Sequence, residues 1–258
     1  MSVSSKLVVL KIGGSILNPK SDFSKINREI VLNIGRELAR LRRSQGYRFI
    51  LIHGGGGLAH TAVRLLRPGD VRGDLTAGAS LTKTLLLYLK LELCRLLLQA
   101  GLPVYPLDTE AVVREERDSL TIEVAKVHRV IEKNVVPVLN GDLELSERGS
   151  IIVSGDLVAY MLCEALRPAT CIFLIDKKGV LDERGRTIPV LRGEDVCRIN
   201  LYKKGVTDVT GGMKTKLEYS LKIAKLGVRT YICPGTEPSV LREVLLGGHS
   251  SRCTRVLP

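Results

Sequence analysis

The sequence contains no tryptophan, only three phenylalanines and three methionines, and aromatic residues make up 4% of it. So few rings leave no stacking platform for single-stranded nucleic acid and imply an aliphatic core. The six cysteines, at 94, 163, 171, 197, 233 and 253, form no CxxC pair, and none has a histidine at metal-ligand spacing. That excludes the common zinc frameworks, and no protein-built metal site is expected. Long uninterrupted apolar runs are also missing. The most hydrophobic stretch, 85–98, is broken by Lys90, Glu92 and Arg95, which suits a buried helix and not a membrane span. The N-terminal apolar segment runs into glycine too soon for a signal peptide. Together these absences predict a cytoplasmic protein whose cysteines are mostly buried thiols in a reducing compartment, with a disulfide of the kind found in heat-adapted organisms left open.

What is present is ample for a core. The chain has 258 residues, 45% of them hydrophobic, enough for one large α/β domain without disulfide staples. There are 39 Lys and Arg against 27 Asp and Glu, a net charge of +12 that attracts anions such as nucleic acid, acidic membrane or phosphorylated small molecules. The basic residues form no tail. Their densest runs, Arg40, Arg42 and Arg43, then Lys177 and Lys178, then Lys203 and Lys204, read as solvated surface.

Hydrophobic spacing predicts strands at 6–12, 48–53, 103–106, 135–139, 171–175 and 229–233. Helices are predicted at 27–43, 59–66, 81–99, 121–133, 154–166, 211–226 and 238–246, with a Gly- and Pro-rich loop over 67–79. Strands alternating with helices predict a mostly parallel central sheet covered on both faces, a three-layer αβα sandwich. The chain reads as a single domain, with a division near residue 145 between lobes of about 1–145 and 146–258.

Three strand-to-helix turns carry glycine: Lys11-Ile-Gly-Gly-Ser15, His53-Gly-Gly-Gly-Gly57 and Asn140-Gly-Asp142. Ligands of parallel sheets bind at the carboxyl ends of strands, where glycine lets backbone N–H groups approach an anion. Any single such turn could serve packing alone; two after the first two strands favour a phosphate site. No GxxxxGK[ST] occurs, and the literal GxGxxA at Gly54–Ala59 lacks the acidic residue a dinucleotide fold places at the next strand end. A fourth signature, Asp208-Val-Thr-Gly-Gly-Met-Lys-Thr-Lys216, puts two lysines in the first turns of a helix, where the macrodipole disfavours them unless an anion compensates.

In this order, over residues 7–233, these turns resemble the amino acid kinase superfamily, and most closely its isopentenyl phosphate kinase branch. The pointer to the branch is His53-Gly-Gly-Gly-Gly-Leu-Ala-His60, similar to the branch's HGGGSFGH, together with Asn134–Asp142 and Thr207–Met213. The chain departs from the pattern at Gly57, Leu58 and Ala59, and at Asp176-Lys-Lys-Gly-Val180, where the family has DVDGV.

The resemblance implies ATP-dependent phosphoryl transfer to isopentenyl phosphate, with magnesium accompanying ATP, in isoprenoid biosynthesis. Lys11 and Lys216 would bind the transferred phosphoryl, and Asp156 would orient them. Gly13, Gly14, Gly55 and Gly56 would donate backbone N–H groups. His60 would bind the acceptor's phosphate, beside Asn140 and Gly141. Lys20, Asp176, Gly179, Gly212 and Lys214 would complete the nucleotide side. The leucines of 81–99 would supply core, a homodimer interface or a tail pocket. Two alternatives stand: a relative phosphorylating an amino acid, UMP or a phosphonate, and a non-catalytic nucleotide- or nucleic-acid-binding protein, for which dispersed lysines and scarce rings offer little. No nucleic-acid or membrane partner is expected.

Overall fold

The computed structural model describes residues 6–18, 26–56, 75–116, 119–146, 149–196 and 212–258. In chain order the elements are β1 (Leu7–Ile12), α1 (Gly14–Leu17), α2 (Arg28–Gln45), β2 (Arg48–His53), α3 (Leu75–Gln99), β3 (Val104–Pro106), β4 (Val113–Glu116), β5 (Ser119–Ile122), α4 (Ala125–Glu132) and β6 (Val136–Asn140). Then follow β7 (Asp142–Ser146), β8 (Gly149–Val153), α5 (Gly155–Leu166), β9 (Thr170–Ile175), β10 (Val190–Leu191), α6 (Gly193–Val196), α7 (Gly212–Lys225), β11 (Arg229–Pro234), α8 (Ser239–Gly247) and β12 (Thr254–Val256). Eight strands form one sheet in the order β10-β12-β11-β9-β1-β2-β6-β3, and all its pairings are parallel except β11 with β12.

Side-chain alternation along β1 sets the layers. Val8, Leu10 and Ile12 pack with α2, α3 and α8 in one apolar core; Leu7 and Val9 pack with α4, α5 and α7 in the other. Lys11, in phase with Leu7 and Val9, is therefore delivered to the α5 and α7 side. Central strands buried on both faces explain why 7–12 and 170–175 are almost wholly apolar, with Lys11 the one charged residue between them. No helix among the described residues is long and apolar enough to cross a membrane.

Four expectations need correction. Residues 75–79 are not loop but the first turns of α3. Helix does not begin at 121: Ser119–Ile122 pairs with Val113–Glu116 in an antiparallel hairpin, and only Ala125–Glu132 is helical. Thr121 and Ile122 are β-branched, a local preference for strand that helical spacing obscured. A second hairpin, β7 with β8, follows β6 unforeseen. Finally, Cys233 and Cys253 are not free thiols. They form a disulfide, because β12 returns antiparallel to β11 and brings their Cα atoms to 4.4 Å. Cys94, Cys163 and Cys171 are buried thiols as expected. The helix predicted at 59–66 lies outside the described residues.

Candidate active site

Lys11, Asp156 and Lys216 come from three distant segments and meet in one buried cluster. Lys11 is carried by β1. Asp156 sits in the first turn of α5, where negative charge suits the helix dipole. The N-cap itself is Ser154, whose Oγ accepts from the Leu157 N–H at 3.1 Å. Asp156 is thereby free for the lysines: its Oδ1 lies 2.9 Å from Lys11 Nζ, and Lys216 Nζ donates to both carboxylate oxygens at 2.9 and 3.0 Å. Lys216 reaches in from α7 and rests its ammonium 5.3 Å above the ring of Phe173. Phe173 stands beside Lys11 in the β1–β9 register.

Two cations share one anion here, so the cluster carries an uncompensated positive charge out of water. Burial raises the Asp156 carboxyl, but Lys11 and Lys216 outweigh it and hold the group at about 2. Burial and the neighbouring Lys11 push Lys216 below the usual lysine range, with Asp156 opposing. The arrangement suits a multiply charged anion arriving beside the two ammonium groups.

The glycine turns close around this cluster. A Cβ on Gly14 would stand 2.3 Å from the Gly56 nitrogen, so the turns after β1 and β2 touch backbone to backbone. A Cβ on Gly141 would lie 2.6 Å from the Gly155 nitrogen, which sets the β6 end directly on the start of α5. Gly13 donates to Leu174 O at 2.9 Å and Gly54 to Ile12 O at 2.9 Å, fixing both turns to the sheet. Gly55 lies between them, half-buried. His53, fully buried at the end of β2, is lowered to about 4 by burial and by Lys90 and Lys11, so its ring is neutral. Nδ1 then donates to Gly54 O at 3.1 Å and pins the first peptide of the glycine run. Asn140, buried beside His53 in the sheet, accepts at its carbonyl from Thr109 Oγ at 2.8 Å.

Asp176 and Gly179 follow the end of β9. Gly179 has φ +67° and packs on Thr254, whose hydroxyl accepts from the Val180 N–H at 2.8 Å. Gly212, at φ +53°, opens α7. Lys214 is exposed and outside the lysine–aspartate cluster. His60 and Lys20 lie outside the described residues.

Sequence reasoning missed a polar patch beside this site. Lys83 of α3 bridges Asp142 of β7 at 2.8 Å and Glu110 at 2.7 Å. Glu144, two residues along β7 on the same face, has no cation of its own among the described residues. Burial, then the charges of Asp142 and Glu110, raise its carboxyl to about 7, with Lys83 opposing. Period-2 spacing of Asp142 and Glu144 just after the Asn140-Gly141 turn was the available signal.

A sequence profile of the amino acid kinase family matches residues 6–234. The isopentenyl phosphate kinase of Methanothermobacter thermautotrophicus is 27% identical, over 97% of this chain and 98% of that protein. That of Arabidopsis thaliana is 30% identical over 74% of this chain and 65% of its own length, so the chain spans just under two thirds of the plant protein. A solved isopentenyl phosphate kinase superposes with a TM-score of 0.76 at 23% identity, over 97% of this chain and 99% of that one.

Proposed function

The chain belongs to the amino acid kinase family, and on that premise we propose that it is an ATP-dependent phosphotransferase that converts isopentenyl phosphate to isopentenyl diphosphate. The observation that carries the reading is the buried Lys11–Asp156–Lys216 cluster at the junction of the glycine turns. The names of the relatives supply the acceptor.

Phosphoryl transfer demands positioning and charge neutralisation more than covalent help from the protein. Lys11 and Lys216 neutralise charge developing on the transferred group from two sides, and Asp156 holds both ammonium groups at fixed positions. N–H groups of Gly14, Gly55 and Gly56 bind phosphate oxygens; that of Gly13, expected from the sequence to join them, is held by Leu174 O and leaves the set. Asn140 and Gly141 border the acceptor side, and His60 binds the acceptor's own phosphate. Asp176, Gly179 and Gly212 face the nucleotide, and Lys20 and Lys214 are further basic groups for it. Both Asp156 oxygens are engaged by lysines, so that carboxylate orients the chain's own cations. The donor set suits magnesium carried in on ATP, held by phosphate oxygens and water and supplying further charge neutralisation.

The reading includes an acceptor lobe of about residues 1–145, a nucleotide lobe of about 146–258, a cytoplasmic setting and a homodimer. For the dimer, α3 exposes Leu81, Leu87, Tyr88, Leu91 and Leu98 beside Tyr105 of the edge strand β3, an apolar face that a second copy would cover. The test is an ADP-release assay with isopentenyl phosphate, dimethylallyl phosphate, fosfomycin, acetylglutamate, aspartate and UMP. Fastest turnover of isopentenyl phosphate is expected; a much faster amino acid or UMP reaction would refute the acceptor assignment.

A further inference from the structure

The last strand of the sheet reaches back to the nucleotide side. β9 ends beside the strand that carries Lys11: its Leu174 carbonyl accepts from the Gly13 N–H, and its Phe173 ring lies under the Lys216 ammonium. The turn that follows, Asp176–Val180, therefore leaves the sheet at the carboxyl end where the lysine–aspartate cluster stands. Lys177 and Lys178 of this turn are exposed, whereas Gly179 and Val180 are buried.

The turn takes its shape from residues outside it. Thr187 Oγ1 donates to Lys178 O at 2.7 Å, and the Ile188 N–H donates to Val180 O at 2.8 Å. Thr254 is fully buried, and its hydroxyl is used in both directions: it accepts from the Val180 N–H at 2.8 Å and donates to Ile188 O at 2.7 Å. Both threonines also press on the glycine between. A Cβ on Gly179 would stand 2.7 Å from Thr254 Oγ1 and 3.1 Å from Thr187 Cγ2. Thr254 is itself anchored. It lies opposite Ile232 in the β11–β12 register, and the adjacent Cys253 is bonded to Cys233, which lies beside Leu174 in the β9–β11 register. The turn is thus tied to β9 twice, once along the chain and once through β12.

Resting on the kinase reading above, we infer that Thr254 and Thr187 are positioning residues for ATP: they act through the Asp176–Val180 turn, which they hold in the shape that receives the nucleotide. A turn ordered in advance spares the nucleotide the cost of ordering it, so the two hydroxyls favour ATP binding without touching it. Neither belongs to the glycine turns after β1, β2 and β6, so acceptor binding is independent of them.

The experiment measures KM for ATP, KM for isopentenyl phosphate and kcat in wild type, Thr254→Val, Thr254→Ser and Thr187→Val, with melting temperatures of the same samples. Valine keeps the shape of threonine and removes the hydroxyl; serine keeps the hydroxyl. In Thr254→Val, KM for ATP is expected to rise roughly three- to tenfold, the range for one neutral hydrogen bond, with KM for isopentenyl phosphate and kcat within about twofold. Thr254→Ser should restore the wild-type KM for ATP. Thr187→Val, at a half-buried position, should show the same split, and it carries the test alone if Thr254→Val does not fold. A role in stability only would lower the melting temperature and leave KM for ATP unchanged. That result in either folded valine variant overturns the inference and leaves the kinase reading intact, as does an equal rise in KM for both substrates. Absence of ADP release with every acceptor in wild type defeats both.

Discussion

Two lysines on one buried aspartate respond unequally to substitution. Lys216→Met leaves a neutral Lys11–Asp156 pair, so folding should change little while kcat falls by roughly 10²-fold or more. Asp156→Asn leaves two cations facing each other out of water and should cost about 3 kcal/mol or more of stability together with kcat. ATP should restore more of the melting temperature in Asp156→Asn than in wild type, because its phosphates replace the missing anion. Melting and turnover on the same samples separate the two variants; equal destabilisation would remove the cluster from the mechanism. Acid unfolding follows from the same aspartate. Its folded carboxyl at about 2 lies below the ordinary value of 3.8, so between them the unfolded chain binds more protons. Its contribution is complete above 3.8 and is lost as pH falls towards 2. Urea midpoints should therefore drop more steeply over that window in wild type than in Asp156→Asn.

At the scale of elements, the start of α5 divides its labour between neighbours. Ser154 caps and Asp156 holds lysines, so Ser154→Ala should cost about 1 kcal/mol while leaving kcat within a few-fold. Gly14→Ala should do the reverse of a surface change: its Cβ meets the Gly56 backbone, which cannot yield like a side-chain tip. Loss of turnover together with a stability loss of about 1–3 kcal/mol is expected, read from melting and turnover on the same sample. The helix α3 is amphipathic in an unusual sense, apolar on both its inner and outer faces. Leu91, 61% exposed at the middle of the outer stripe, is the test position: Leu91→Lys should convert a dimer to a monomer in sedimentation velocity. A wild-type monomer at micromolar concentration would refute the homodimer.

The whole molecule shows what a sequence exposes and what it hides. Central strands and their glycine turns were legible because burial on both faces and close backbone approach each leave a local signature. So were Lys11, Asp156 and Lys216, although only the resemblance joined positions 60 to 205 residues apart in the chain into one site. The hairpins β4–β5 and β7–β8 were hidden because short strands of mixed polarity look like loop. Glu144 was hidden because a lone glutamate becomes unusual only when its surroundings deny it a partner. The disulfide was hidden because Cys233 and Cys253 are 20 residues apart, with α8 between them. Closing a loop of that length stabilises by about 3 kcal/mol in the chain-entropy description, so a reductant, or Cys253→Ser, should lower the melting temperature by roughly 6–12 °C.

The position of β1 in the sheet has a consequence for synthesis. This strand leaves the ribosome before the other strands of its sheet, yet one of its two edges is filled by β9, which follows about 160 residues later. At about 5–20 residues per second, the Lys11-bearing strand waits roughly 8–30 s with that edge unpaired. During that interval the nascent chain offers an apolar template for strand addition, and holdase chaperones have their opportunity there.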